Sequence, residues 1–193
     1  KWITPGMVDA HIHFFQSAGL YTRPDIHDQR DVRDYAWDQQ GVRDRMAGTL
    51  ARYLASGVTG VVDMGGPSWN LKVRDTVLQS PRIAVSGPLF STVARPQLDL
   101  GDPPIVRAAD VSEARRMARE QARAGYDLVK VWYIVGEGGV EEGRPIVAAV
   151  VDEAHRRGKR VAVHATQLEA ARIAVELGAD VLVHSVDDEP LDE

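Results

Sequence analysis

From Val58 onward, short apolar runs rich in β-branched residues alternate with longer runs whose apolar positions recur at helical spacing. That alternation marks strand–helix units wound around a parallel sheet. It predicts strands at 6–13, 58–64, 82–87, 128–134, 160–165 and 181–185, and helices near 41–56, 68–79, 111–124, 144–157 and 167–177. The boundaries carry their own chemistry. Asp110 with Glu113, and Thr166 with Glu169, fit capping boxes, Pro145 suits a first helical position, and Gly57, Gly125, Gly158 and Gly178 fall where a helix must stop.

The segments SGVTGVVDMG, AGYDLVKVWY, RGKRVAVHAT and LGADVLVHSV repeat one unit: a helix-ending glycine, a turn, an apolar strand, then a polar residue. Those polar residues are Asp63, Lys130, His164 and His184. In a parallel sheet such positions lie toward the C-terminal ends of the strands, where α/β barrels and open sheets place their ligands. Three connections are long: 14–40, of mixed charge, 88–110, rich in proline, and 135–144, rich in glycine. Most of their residues fit solvated loops, although loops at strand ends also build substrate pockets.

With 193 residues, 44% of them hydrophobic, the chain has material for one sizeable core. Its apolar runs, such as VWYIV and IVAAVV, are too short to span a membrane. A net charge of −5 with interspersed signs gives no basic stripe for nucleic acid. No cysteine is present, so disulfides and thiolate metal sites are excluded and a metal would need imidazole or oxygen ligands. The chain starts at Lys1 without an initiator methionine, so its N-terminus reads as cut.

In TPGMVDAHIHFF (4–15), alternation puts Asp9, His11 and His13 on one side of a strand and Val8, Ala10 and Ile12 on the other. Taken alone, the HIH pair fits polar rim groups as well as it fits ligands. With His164 and His184 ending two later strands, four of the six histidines converge on one pole of the sheet. Buried imidazoles need partners for their ring nitrogens, and a metal would supply them together. Lys130 sits mid-strand in DLVKVWY, where burial depresses an amine's pKa; it either snorkels to the rim, pairs with Asp63, or stays neutral and reactive toward carbon dioxide.

The ordered set of PGMVDAHIH on the first strand, Lys130 on the fourth, His164 in VAVHAT on the fifth and His184 in VLVHS on the sixth resembles the metal-dependent amidohydrolase superfamily. The stretch GVTGVVDMGG is similar to phrases of its imidazolonepropionase and prolidase-like branch. The resemblance implies a (β/α)8 TIM-type barrel beside a small β-sandwich. Residues 1–193 would supply about the first six βα units of that barrel domain, without the sandwich and the last two units. It further implies that His11 and His13 hold one divalent metal, that His164 and His184 hold a second, and that carboxylated Lys130 bridges them. The ions would be two Zn²⁺, with Mn²⁺, Co²⁺ or Fe²⁺ as alternatives. A metal-bound hydroxide would then attack an amide, lactam or ester carbonyl, in a dipeptide or N-acyl amino acid. The family's general-base aspartate, from its eighth strand, is expected beyond Glu193, which would leave the fragment alone inactive.

Around that set, Asp9 and Asp63 are candidate partners for an imidazole or for Lys130, Trp132 shares a strand face with Lys130 and is a candidate pocket wall, and Tyr133 is a candidate hydrogen-bond donor to substrate. His27 reads as solvated and His155 as a helix-end group. The expected partner is a small molecule, with no nucleic acid and no membrane, and a homo-oligomer is left open. Two rival readings remain: a metal-free, doubly wound α/β binding domain with the histidines as rim groups, and a phosphotriesterase- or dihydroorotase-like branch sharing the ligand pattern.

Overall fold

The computed structural model describes residues 2–17 and 19–191, and the expectations attached to the chain ends at Lys1 and Glu193 lie outside them. The elements run β1 (Met7–Ile12), α1 (Tyr35–Ala55), β2 (Val58–Asp63), α2 (Trp69–Thr76), β3 (Arg82–Val85), β4 (Leu89–Ser91), β5 (Ile105–Val106), α3 (Val111–Ala124), β6 (Leu128–Trp132), α4 (Val140–Arg156), β7 (Arg160–His164), α5 (Leu168–Glu176) and β8 (Val181–Val183). Every paired strand is parallel. Two ladders form, β1-β2-β3 and β5-β4-β6-β7-β8, joined by a parallel bridge between Ser86 and Leu128.

The strand expected at 82–87 is thus one stave broken in two: β3 pairs with β2, and after Gly87 and Pro88 the chain resumes as β4 beside β6. Proline cannot donate to a ladder, and a Cβ on Gly87 would come within 2.8 Å of the Gln121 side chain, so the break is built into both residues.

Strand alternation sorts side chains into two layers. Outward, Val61 and Val85 pack with Val42, Met46 and Leu50 of α1, while Val129, Val131, Val161 and Val163 pack with Val147, Val150 and Val151 of α4. Inward, Met64, Ala162 and Val183 form a smaller apolar cluster. The sheet is strongly curved. His11 on β1 and His184 after β8 stand at opposite ends of the strand order, yet their ring centroids are 4.6 Å apart. In a flat sheet, strands five places apart would be separated by roughly 24 Å. This is the wall of an incomplete (β/α) barrel, not the flat sheet with helices on both faces of the doubly wound alternative. Among the described residues β1 and β8 form no ladder, and Met7, Val8, Val181 and Leu182 stand exposed along the two edges.

Three local expectations need correction. The first helix begins at Tyr35 and not near 41, because the Asp34 carboxylate accepts from the Trp37 N–H at 3.0 Å and caps it. The fourth starts at Val140, which moves Pro145 into its second turn. Thr166 does not cap the fifth helix; Asp188 accepts from the Leu168 N–H at 2.8 Å instead. The Pro-rich connection 88–110 also holds two short strands, β4 and β5. The glycines read as helix stops at 57, 125, 158 and 178 all have positive φ, between 67° and 90°.

Candidate functional site

Four imidazoles meet at the C-terminal mouth of the strands. His11 and His13 leave β1 on its inner side, with their Nε2 atoms 3.3 Å apart. The His13 Nδ1–H donates to the Gly65 carbonyl at 2.7 Å, which fixes the tautomer and leaves Nε2 with a lone pair aimed at the cluster. His164 ends β7 beside Trp132 of β6, in register, and their ring centroids are 5.9 Å apart. His184 closes the group at 4.6 Å from the His164 ring.

His184 reaches this place through its backbone. Val183 is the register partner of His164 and faces inward, so regular alternation would turn the next side chain outward. His184 instead has φ 71°, a left-handed conformation rare outside glycine, and its ring lies against His11 and His164. Such strain is commonest where a side chain must be aimed for a task.

Beneath the rings lies Lys130, 1% exposed and paired in register with Ala162. Burial is the cause that depresses its pKa, to about 7, and among the described residues no carboxylate offsets it. Burial likewise depresses His11 to about 4 and His13 and His164 to about 3, with Lys130 adding to each shift. His184 is lowered for the same reason. At neutral pH these imidazoles are therefore uncharged lone-pair donors, and they open with Lys130 onto a cavity of about 690 Å³. A second cleft, about 550 Å³ beside Thr92, Arg107 and Glu142, holds none of the expected residues.

The model of the amidohydrolase family matches residues 2–188, almost the whole chain. The chain belongs to the amidohydrolase family. It is also similar to solved structures of an amidohydrolase (25% identity, TM-score 0.70, covering 95% of this chain and 49% of that one) and of a prolidase complexed with N-methylphosphonate-L-proline (25%, 0.70, 95% and 48%). A Xaa-Pro dipeptidase with methionine bound in its active site shares the fold (24%, 0.65, 92% and 47%). The chain spans about half the length of these proteins. No curated protein matches it.

Amidohydrolases generally use divalent metals, and the residues here fit such ions. The imidazoles are neutral, one is oriented by a carbonyl in the way metal-ligating histidines are, and a buried amine has no carboxylate partner among the described residues. Among the described residues no three His, Cys, Asp or Glu side chains meet as ligands of one ion. Lys130, a residue outside those four types, stands beside the rings.

The remaining expected residues divide. Trp132 and Asp9 line the cavity, although Asp9 accepts from the backbone N–H of His11 at 3.3 Å and not from its ring. Asp63 pairs in register with Ile12 and lies on the outer side of the wall, where it accepts from Asn70 Nδ2 at 2.5 Å and from the Phe14 N–H at 3.3 Å. Burial raises its pKa to about 7. It therefore pairs with neither Lys130 nor a ring; it braces the β1 and β2 loops against each other. Tyr133 is buried in the core and donates to the Val140 carbonyl at 2.6 Å, away from the cavity. His27 is exposed, and His155 meets Asp180 at 2.9 Å on the far side.

Sequence reasoning missed Arg23, which lines the cavity from the loop after β1, and Gly65, whose carbonyl orients His13. Gly65 has φ 110°, and a Cβ there would lie 2.9 Å from the Gly87 carbonyl oxygen and 2.8 Å from Leu89 Cγ. Gly65→Ala is expected to cost on the order of 2 kcal/mol in denaturant unfolding and to weaken metal binding roughly tenfold. An unchanged metal affinity in the folded variant would show that this carbonyl does not orient the ligand.

Proposed function

We propose that this chain provides the metal-holding wall of a hydrolase that cleaves C–N bonds of an amide or lactam, with dipeptides or N-acyl amino acids as the substrate class. The observation that carries the reading is the convergence of four neutral imidazoles, from β1, β7 and the end of β8, around a buried lysine with no counter-charge among the described residues. On this reading His11 and His13 would hold one ion and His164 and His184 the other. Lys130, its pKa lowered to about 7 by burial, would add carbon dioxide with loss of one proton, and the resulting carbamate would join the imidazoles in holding the ions. Divalent ions, Zn²⁺ above all, supply polarisation of the scissile carbonyl and a lowered pKa for water.

The chain's own residues set the rest. The Gly65 carbonyl holds His13 in one tautomer, the left-handed turn aims His184, and Trp132 provides an apolar wall on which the substrate rests. The prolidase and dipeptidase names of the similar structures support amide cleavage. Metal analysis of the intact protein is expected to find about two divalent ions per chain and amide hydrolysis lost on chelation and regained with Zn²⁺ or Mn²⁺. Fewer than one ion per chain, with no activity restored, would overturn the reading.

A further inference from the structure

Beside the imidazole cluster lies an unequal charge group, of which Arg23 lines the cavity and Arg95 meets its Trp132 wall. Asp25 has a side chain with no exposure to solvent, and Arg23 clasps it with two parallel bonds of 2.8 Å, from Nε and Nη2. Arg95 approaches the same carboxylate from another loop, Nε to Oδ2 3.6 Å, and its guanidinium lies 5.0 Å from the centroid of the Trp132 ring. Two cations thus share one anion, which leaves a net charge of +1. Both arginine side chains stay partly exposed, at 29% and 30%, while the Asp25 side chain between them is covered.

A structural ion pair would need only one of these arginines. The second makes sense if the group awaits another anion. The Asp25 fork occupies Nε and Nη2 of Arg23 and leaves Nη1 for an outside acceptor, and the buried carboxylate holds the side chain rigid while it waits. Arg23 lines the same cavity as the imidazoles and Trp132. Asp9, the carboxylate that lines that cavity, accepts from the His11 amide.

We propose that Arg23 and Arg95 form the subsite for a carboxylate of the substrate, so that the compounds cleaved are N-acyl amino acids or short peptides with a free α-carboxylate whose side chain rests on Trp132. This rests on the hydrolase reading above and narrows its substrate class. It also gives Asp25 a role: a positioning residue that sets the Arg23 fork.

The test uses matched pairs, N-acetyl-L-amino acids and their α-carboxamides, with acetate release by the metal-loaded intact protein and calorimetric binding to the metal-stripped protein. Charge-assisted hydrogen bonds predict a preference for the carboxylate of roughly tenfold or more in kcat/KM and in binding. Arg95→Met is expected to cut that ratio about tenfold, chiefly through KM. Arg23→Met would strand Asp25, so the double variant Arg23→Met/Asp25→Asn removes the pair together and should reduce the ratio likewise. Equal binding of acid and amide by the wild type, or a preference kept in both variants, overturns the subsite. Should no pair be hydrolysed while the calorimetric preference stands, the hydrolase reading fails and the carboxylate subsite survives.

Discussion

Lys130→Ala is expected to leave a folded protein that has lost the paired metal ions and with them on the order of a thousandfold or more of hydrolytic activity. Lys130 is buried beside the imidazoles with its charge bearing on all four, and its depressed pKa reports burial with no carboxylate among the described residues to offset it. Truncation to alanine keeps the rings, and with them two nitrogens for each proposed ion, but removes the group proposed to be shared. Two-coordinate sites of that kind hold Zn²⁺ poorly, since stable sites supply three or four protein ligands. The measurement is the metal-to-protein ratio after gel filtration, read beside kcat/KM. Two tightly retained ions in the variant would take Lys130 out of the bridging role and leave the imidazoles to be explained in another way.

Much of the barrel wall is readable in the chain because its four repeated units state the same thing at several levels. A glycine that must turn left-handed ends each helix, an apolar run follows, and the polar residue comes last; all four glycines do have positive φ. What the pattern hides is tertiary in origin. The start of α1 depends on a single cap at Asp34, seven residues before the apolar periodicity becomes clear. The division of the third stave depends on Gly87 fitting under Gln121, a contact between positions 34 apart in the chain.

The site shows the same division. His11, His13, Lys130 and His164 could be placed because strand alternation and register carry each side chain to the inner face. Asp63 could not, since its spacing from Gly57 matches that of His164 from Gly158, but the register of β2 against β1 sends it outward. His184 shares that spacing and would also have turned outward had its φ been ordinary; a backbone strain invisible in sequence restores it. Arg23 and Arg95 escaped notice because they come from two long loops, one of mixed charge and one rich in proline, where one arginine looks like any other until a covered carboxylate gathers two of them.

The stability of the metal-free protein is expected to rise with pH from about 7 to 10, and Lys130→Met to remove that slope. The sign follows from proton counts. A lowered pKa means that the native state binds fewer protons than the unfolded one between the two values, and there stability increases with pH. For Lys130 this interval runs from about 7 to 10.5, so the cost of burying its charge is fully present below pH 7 and relieved above it. The size is on the order of 5 kcal/mol. Other groups act elsewhere on the scale. His11, His13 and His164 have the same sign, but between about 3 and 6.5, and there Asp63 opposes them, because its raised pKa makes stability fall from 3.8 to about 7. Tyr133, raised from 10 to about 12, lowers stability only above pH 10. The window between pH 7 and 10 therefore belongs to Lys130 among these shifted groups. Methionine fills a similar volume without a charge, so Lys130→Met should unfold at higher denaturant concentration than the wild type at pH 7 and converge with it near pH 10. A wild type whose unfolding midpoint is flat across this range, or a variant with the same slope, would mean that the amine reaches water, and a lysine in contact with water at neutral pH would be an ammonium, unable to form the carbamate on which metal sharing depends.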